Sequence, residues 1–207
     1  MTDKSKSLKS NWKKVWHFIW HDDSLLSWVV NVVLAFILIK YLIYPGLGLI
    51  TGTTFPVVAV VSNSMEHPGS FNEWWTDHED FYLKHNITDL DFHAYPFSNG
   101  FNKGDIMFLV GTDPKEVGLG DVIVYRAGRA YPIIHRVVDI RDTGGELYFT
   151  TKGDNNPGII RTMQLDEKNI SSEQYIGRAV FRIPFLGYIK IWFVDLLGLF
   201  GLQGVLA

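Results

Sequence analysis

The sequence predicts a small, mainly-β domain tied to a membrane by an N-terminal helix. Two observations carry that reading. Leu25 to Tyr44 is a nearly unbroken apolar run behind a lysine-rich start, and its length of about 20 residues is what a helix needs to cross ~30 Å of hydrocarbon. After it come short β-branched and aromatic runs, separated by clusters of Gly, Pro, Asn and Asp as strands are separated by turns.

Composition narrows the class further. With 207 residues, 47% hydrophobic and 20% charged, the chain is too apolar to be disordered and too charged for a multi-span membrane protein. It suits one folded domain plus an anchor. The net charge of -3 lacks the electrostatic footprint of a nucleic-acid binder, so no nucleic-acid partner is expected. With no cysteine, disulfides, thiol nucleophiles, iron–sulfur clusters and thiolate zinc sites are excluded.

Each element follows in order. Residues 1–24 carry Lys4, Lys6, Lys9, Lys13 and Lys14, which predict that this flank stays in the cytoplasm. Trp12, Trp16, Trp20 and Trp28 suit the interfacial belt, with Trp12 to Trp20 as a helix on the inner leaflet. Within the apolar run Asn31 and Lys40 are the strongly polar interruptions, and Pro45 and Gly46 are expected to end the helix. The run exceeds the ~7–15-residue core of a cleaved signal, and no A-x-A site follows, so it reads as an uncleaved signal-anchor in the lipid bilayer. The body, 45–190, has strand-like runs at Pro56–Val61, Ile106–Val110, Val122–Tyr125, Ile133–Asp139, Glu146–Lys152 and Tyr175–Ile183. Gly104–Asp105 and Gly120–Asp121 open two of them as turns. Glu66 to Asn102 breaks the pattern: it is rich in aromatics, His and acids, and Phe71 to Lys84 reads as a helix inside an insertion. No H-E-x-x-H spacing occurs, so no metal and no cofactor is expected. The apolar segment 191–207 is short for a span and holds three glycines, so it reads as an interfacial or partner-packed helix.

Three strings carry chemistry. Val61-Ser62-Asn63-Ser64-Met65-Glu66 follows an apolar strand; Ile134-His135-Arg136-Val137 sets a lone His in another; Thr151-Lys152-Gly153-Asp154-Asn155-Asn156 runs from a strand into a turn. Individually they have structural explanations: a turn serine, a satisfied core histidine, a turn aspartate. Together they supply hydroxyl, imidazole and carboxylate, the parts of hydroxyl-based acyl transfer. Chain order alone does not establish convergence, since triads arise in several orders.

As an ensemble the strings resemble type I signal peptidase, in its archaeal and endoplasmic-reticulum branch. Ser62 to Met65 looks like the nucleophile box, Lys103-Gly104-Asp105-Ile106 and Gly120-Asp121-Val122-Ile123 like the strands after it, and Ile134 to Val137 like the box of the base. Lys152 to Asn156 looks like the box of the acid, and Tyr175-Ile176-Gly177-Arg178 like the closing strand. The resemblance implies a signal-peptidase-like β domain and a serine endopeptidase. Ser64 would be nucleophile, His135 general base where bacterial members carry Lys, and Ser62 an oxyanion donor. Asp154 would orient the base. Relatives carry a second Asp where this chain has Ile160; Asp154 then serves alone, Asp166 is brought in by a longer loop, or Asp121 helps.

The implied substrate is a secretory preprotein cut after a small-x-small pattern, its signal peptide in the same bilayer. Partner membrane subunits and a single-pass place in the cell or endoplasmic-reticulum membrane are implied as well. An extended peptide could add as a strand beside Pro56–Val61 or Val122–Tyr125, meeting Val57, Ala59, Val61, Val122 and Val124. Two rivals remain: a catalytically silent membrane subunit binding signal segments, and a self-cleaving repressor-type serine peptidase. The latter are soluble and use Lys as base. Two sequons, Asn86-Ile87-Thr88 and Asn169-Ile170-Ser171, carry no weight alone.

Overall fold

The computed structural model describes residues 3–129, 131–189 and 192. It divides into two compact units, one ending at Ile50 and the other beginning at Thr51. The expected C-terminal helix, 191–207, lies outside the described residues except for Trp192.

The first unit is helical. Helix α1 (Asp3–His21) leads through a short turn to α2 (Leu25–Leu38), whose N-cap Ser24 accepts from the Ser27 N–H at 3.2 Å. A π-helical turn (Ile39–Ile43) and α3 (Tyr44–Thr51) continue it. Leu25–Thr51 is thus a 27-residue helical run holding an 18-residue stretch of mean hydropathy 2.2, and among the described residues it alone is long and apolar enough to cross a membrane. Pro45 and Gly46 do not end it. The wider turn bonds the Tyr44 N–H to the Ile39 carbonyl, absorbing a proline that lacks an N–H and would clash with a regular preceding turn. The polar residues early in the run have partners. Ser27 Oγ donates to the Phe18 carbonyl at 2.6 Å and Asn31 Nδ2 to the Ile19 carbonyl at 2.8 Å. Both acceptors lie in the last turn of α1, where carbonyls have no partner in their own helix. Trp12, Trp16 and Trp20, one turn apart, remain exposed in a row of mutually tilted rings.

The second unit is mainly β. Its strands are β1 (Val57–Ala59), β2 (Ile106–Val110), β3 (Val122–Tyr125), β4 (Ile133–Thr143), β5 (Glu146–Lys152), β6 (Arg161–Thr162), β7 (Leu165–Asp166), β8 (Ile170–Ser171) and β9 (Tyr175–Ile183). Seven form an antiparallel sheet in the order β1-β2-β9-β3-β4-β5-β8, and β6 pairs with β7. Alternation along the strands divides the core. Met107, Leu109, Val122 and Val124 pack with Val60 and Met65; Ile123, Tyr125, Ile133 and Val137 pack with Phe149, Leu165 and Ile170. β1 is an edge strand, hydrogen-bonded to β2 alone among the described strands. β3 lies between β9 and β4 and its side chains are buried, so no peptide can add beside Val122 and Val124 as the sequence suggested.

The insertion folds against this sheet. Helices α4 (Phe71–Lys84) and α5 (Asp89–Ala94) both start with capping boxes, Ser70 with Glu73 and Thr88 with Asp91. Trp74, Trp75, Tyr82 and Phe92 are buried together against Val138 of β4. The β-bulge between Val137 and Asp139 gives Val138 this orientation. Truncating the central ring tests how much stability the insertion supplies. Trp74→Ala should lower unfolding free energy by about 3–5 kcal/mol, read from urea denaturation in detergent.

Candidate active site

The three strings meet in space. Ser64, after β1, and His135, on β4, lie 71 positions apart, and Ser64 Oγ is 2.9 Å from His135 Nε2. Ser62 Oγ is 3.1 Å from Ser64 Oγ. His135 is buried on the face of β4 that also carries Ile133 and Val137. The turn after β5 presses on the pair. Asn155 N–H donates to the Ser64 carbonyl at 2.8 Å, and a Cβ at Gly153 would lie 2.8 Å from both His135 Nε2 and that carbonyl oxygen. Only glycine leaves the dyad this room.

The carboxylate on the other imidazole nitrogen is none of the three expected ones. His135 Nδ1 bonds Glu167 Oε1. Glu167 is fully buried; its Oε2 accepts from the Ile160 N–H at 2.6 Å, and its Oε1 accepts from the Tyr125 hydroxyl at 3.4 Å. The β6–β7 hairpin explains the placement. Arg161 pairs with Asp166 and Thr162 with Leu165, so the next rung sets Ile160 opposite Glu167, where the Glu167 N–H donates to the Ile160 carbonyl at 3.0 Å. Asp166 faces the other way, bonded to Asn169 Nδ2 at 2.7 Å and to Arg161 Nε at 3.3 Å. Asp121 pairs with Arg178 at 3.2 Å. A signal for Glu167 was present in the sequence: Leu165 is apolar and buried, and in a strand residue 167 shares its face while 166 does not.

Asp154 holds the turn. Arg136 Nη2 and Nε reach its carboxylate at 2.7 and 2.9 Å, the Tyr82 hydroxyl donates at 3.1 Å, and His67 Nε2 lies 3.1 Å away. Arg136 spends its remaining donors on the Pro96, Phe97 and Gly120 carbonyls and lies over the Phe92 ring. Burial opposes charge on Asp154, but adjacent Arg136 and the His67 hydrogen bond hold its carboxyl well below the usual carboxylate range. Burial pushes the Tyr82 phenol well up and the stacked His67 imidazole down. Val57 and Ala59 lie half-buried on edge strand β1, and Val61 is exposed just beyond it. Among the described residues no group of three metal-ligating side chains occurs.

Asp154 binds a proton less readily folded than unfolded, so its contribution to stability is present above the unfolded value of about 3.9 and is lost as pH falls below it. Denaturation midpoints of wild type and Asp154→Asn should therefore differ most near neutrality and converge in acid. Arg136→Met, which strands the buried carboxylate, should cost about 3–5 kcal/mol at neutral pH in the same measurement.

Known proteins are similar to this chain in sequence. No protein-family model matches it. The chain is 30% identical over 177 residues to the signal peptidase complex catalytic subunit SEC11 of Komagataella phaffii, covering 80% of this chain and 84% of that protein. It is 29% identical over 176 residues to SEC11 of Colletotrichum graminicola, with the same coverage of 80% and 84%. Against the human catalytic subunit SEC11C it is 28% identical over 153 residues, spanning 72% of this chain but only 63% of the human protein. Ser64, His135 and the turn after β5 all fall in a chain that belongs to the SEC11 family of signal peptidase complex catalytic subunits.

Proposed function

We propose that this chain is a membrane-anchored serine endopeptidase that removes signal peptides from secretory preproteins. The observation that carries the reading is the hydrogen-bonded Ser64 and His135, with the buried Glu167 carboxylate on the far ring nitrogen. The naming of its relatives as catalytic subunits of a signal peptidase complex supports it.

In this reading His135 Nε2 takes the Ser64 proton as Oγ attacks the scissile carbonyl, then returns it to the leaving amine. Water hydrolyses the resulting acyl-enzyme by the same route. Ser62, beside the nucleophile, donates to the oxyanion together with the Ser64 N–H. Glu167 takes the role expected of Asp154. It accepts from Nδ1–H, which fixes the tautomer presenting a bare Nε2 and offsets the imidazolium charge; Tyr125 and the Ile160 N–H hold it in place. Asp154 instead fixes the turn.

An extended substrate adds along the open edge of β1, past Val57, Ala59 and Val61, toward Ser64. Shallow contacts there favour the small-x-small pattern. The lysine-rich start places the N-terminus in the cytoplasm and the β unit on the other side, in the endoplasmic-reticulum or cell membrane. The Leu25–Thr51 helix puts enzyme and signal peptide in one bilayer, raising their effective concentration. Partner membrane subunits are proposed from the same relatives.

The test is cleavage of a model preprotein by the purified full chain in detergent, with products read by mass spectrometry. Ser64→Ala and His135→Ala should abolish cleavage, and full activity of Ser64→Ala would refute the proposal. Glu167→Gln should lower kcat by roughly 10²–10⁴, as loss of an orienting carboxylate does. Asp166→Asn, on the outer face of its hairpin, should stay within about twofold of wild type.

A further inference from the structure

The insertion reaches the dyad through a lysine. Lys152 ends β5 and is fully buried. Its Nζ donates to the Gly153 carbonyl at 3.1 Å and the Asp154 carbonyl at 3.0 Å. From the other side, the Phe81 and Tyr82 rings of α4 face the ammonium with centroids 5.0 and 4.9 Å away. The two carbonyls belong to the turn whose Gly153 backbone abuts Ser64 and His135 and whose Asn155 N–H holds the Ser64 carbonyl.

We propose that Lys152 is a positioning residue: its ammonium, seated under the Phe81 and Tyr82 rings, pins the Gly153–Asp154 carbonyls and so sets the backbone on which Ser64 and His135 meet. The inference rests on the dyad reading above and gives the 66–102 insertion a function in catalysis. An ammonium is a compact, strongly hydrated charge with three donors. Here two carbonyl oxygens and two π-faces replace its water.

The charged and titratable groups around it are few. Asp154 on the turn and Glu167 after β7 favour the charged form, Arg136 on β4 opposes it, and the Tyr82 phenol on α4 stays neutral. Burial outweighs the favourable pair, and Lys152 is brought down to about 8. Above that pH the ammonium loses a donor and the charge the rings hold, so the turn loosens and turnover falls.

Stability moves the opposite way. The unfolded lysine, at about 10.4, binds more protons than the folded one between pH 8 and that value, so this group adds stability as pH rises through the window. A lysine that merely supported the fold would move activity and stability together.

The experiment measures kcat and KM for preprotein cleavage from pH 6 to 10, alongside unfolding midpoints, using the full chain in detergent. Wild type should show an alkaline limb near pH 8 in kcat with KM flat. Lys152→Met should lower kcat at pH 7 by roughly tenfold or more, as small displacements of reacting groups do, while leaving KM within about twofold and the midpoint undiminished. Lys152→Arg, charged throughout the range, should recover part of kcat and lose the limb near pH 8. Phe81→Leu, which removes one ring but neither carbonyl, should shift the limb to lower pH. Wild-type kcat in Lys152→Met, or a limb unmoved in both Lys152→Arg and Phe81→Leu, overturns the proposal. A wild type no more active than Ser64→Ala refutes the peptidase reading itself, and the positioning role with it.

Discussion

Arg136 and Asp154 form an ion pair with no access to solvent, and the site is arranged around it. Arg136 follows His135 on β4, and Asp154 follows Gly153 in the turn, so the pair fastens together the backbone on both sides of the imidazole. Burying two charges is costly unless every remaining donor and acceptor finds a partner. Here Tyr82 and His67 complete the carboxylate, and the Pro96, Phe97 and Gly120 carbonyls complete the guanidinium. Four of those five partners belong to the insertion. A segment that reads as an appendage in the sequence therefore closes the polar centre beneath the dyad. Met65, next to Ser64, closes the other side, its sulfur 3.4 Å from the Asp154 N–H.

His135, the base in the proposed reading, bonds a carboxylate from the strand opposite the expected one. Where the resemblance leads one to look for an acid, the chain has Ile160, whose N–H holds the carboxylate of the residue across the hairpin. A geometric requirement, a carboxylate on Nδ1, is thus met from a different chain position. The two acids divide the labour: Glu167 faces the imidazole, and Asp154 faces the arginine behind it.

Much of this was legible in the sequence, for physical reasons. Short β-branched and aromatic runs bounded by turn residues located Ile106–Val110, Val122–Tyr125, Glu146–Lys152 and Tyr175–Ile183 to the residue, and Ser70 and Glu73 capped a helix where the pattern had placed one. Ser64 and His135, which lie 2.9 Å apart, stood out as candidates because their strings are short and local. Three features were not legible. The continuation of the apolar helix past Pro45 depends on a π turn, which propensity does not encode. The enclosure of β3 depends on sheet order, set by long-range pairing of β9. The identity of the orienting acid depends on the register of a two-residue hairpin, and a shift of one residue there would exchange Asp166 for Glu167.

The proposed chemistry depends on activation of Ser64 by His135. Its most direct test maps the covalent adduct formed when the full chain in detergent reacts with a fluorophosphonate, by peptide mass spectrometry. A single adduct on Ser64, lost in His135→Ala, is the expected result. An adduct on another hydroxyl, or equal labelling of Ser64 without His135, would contradict it.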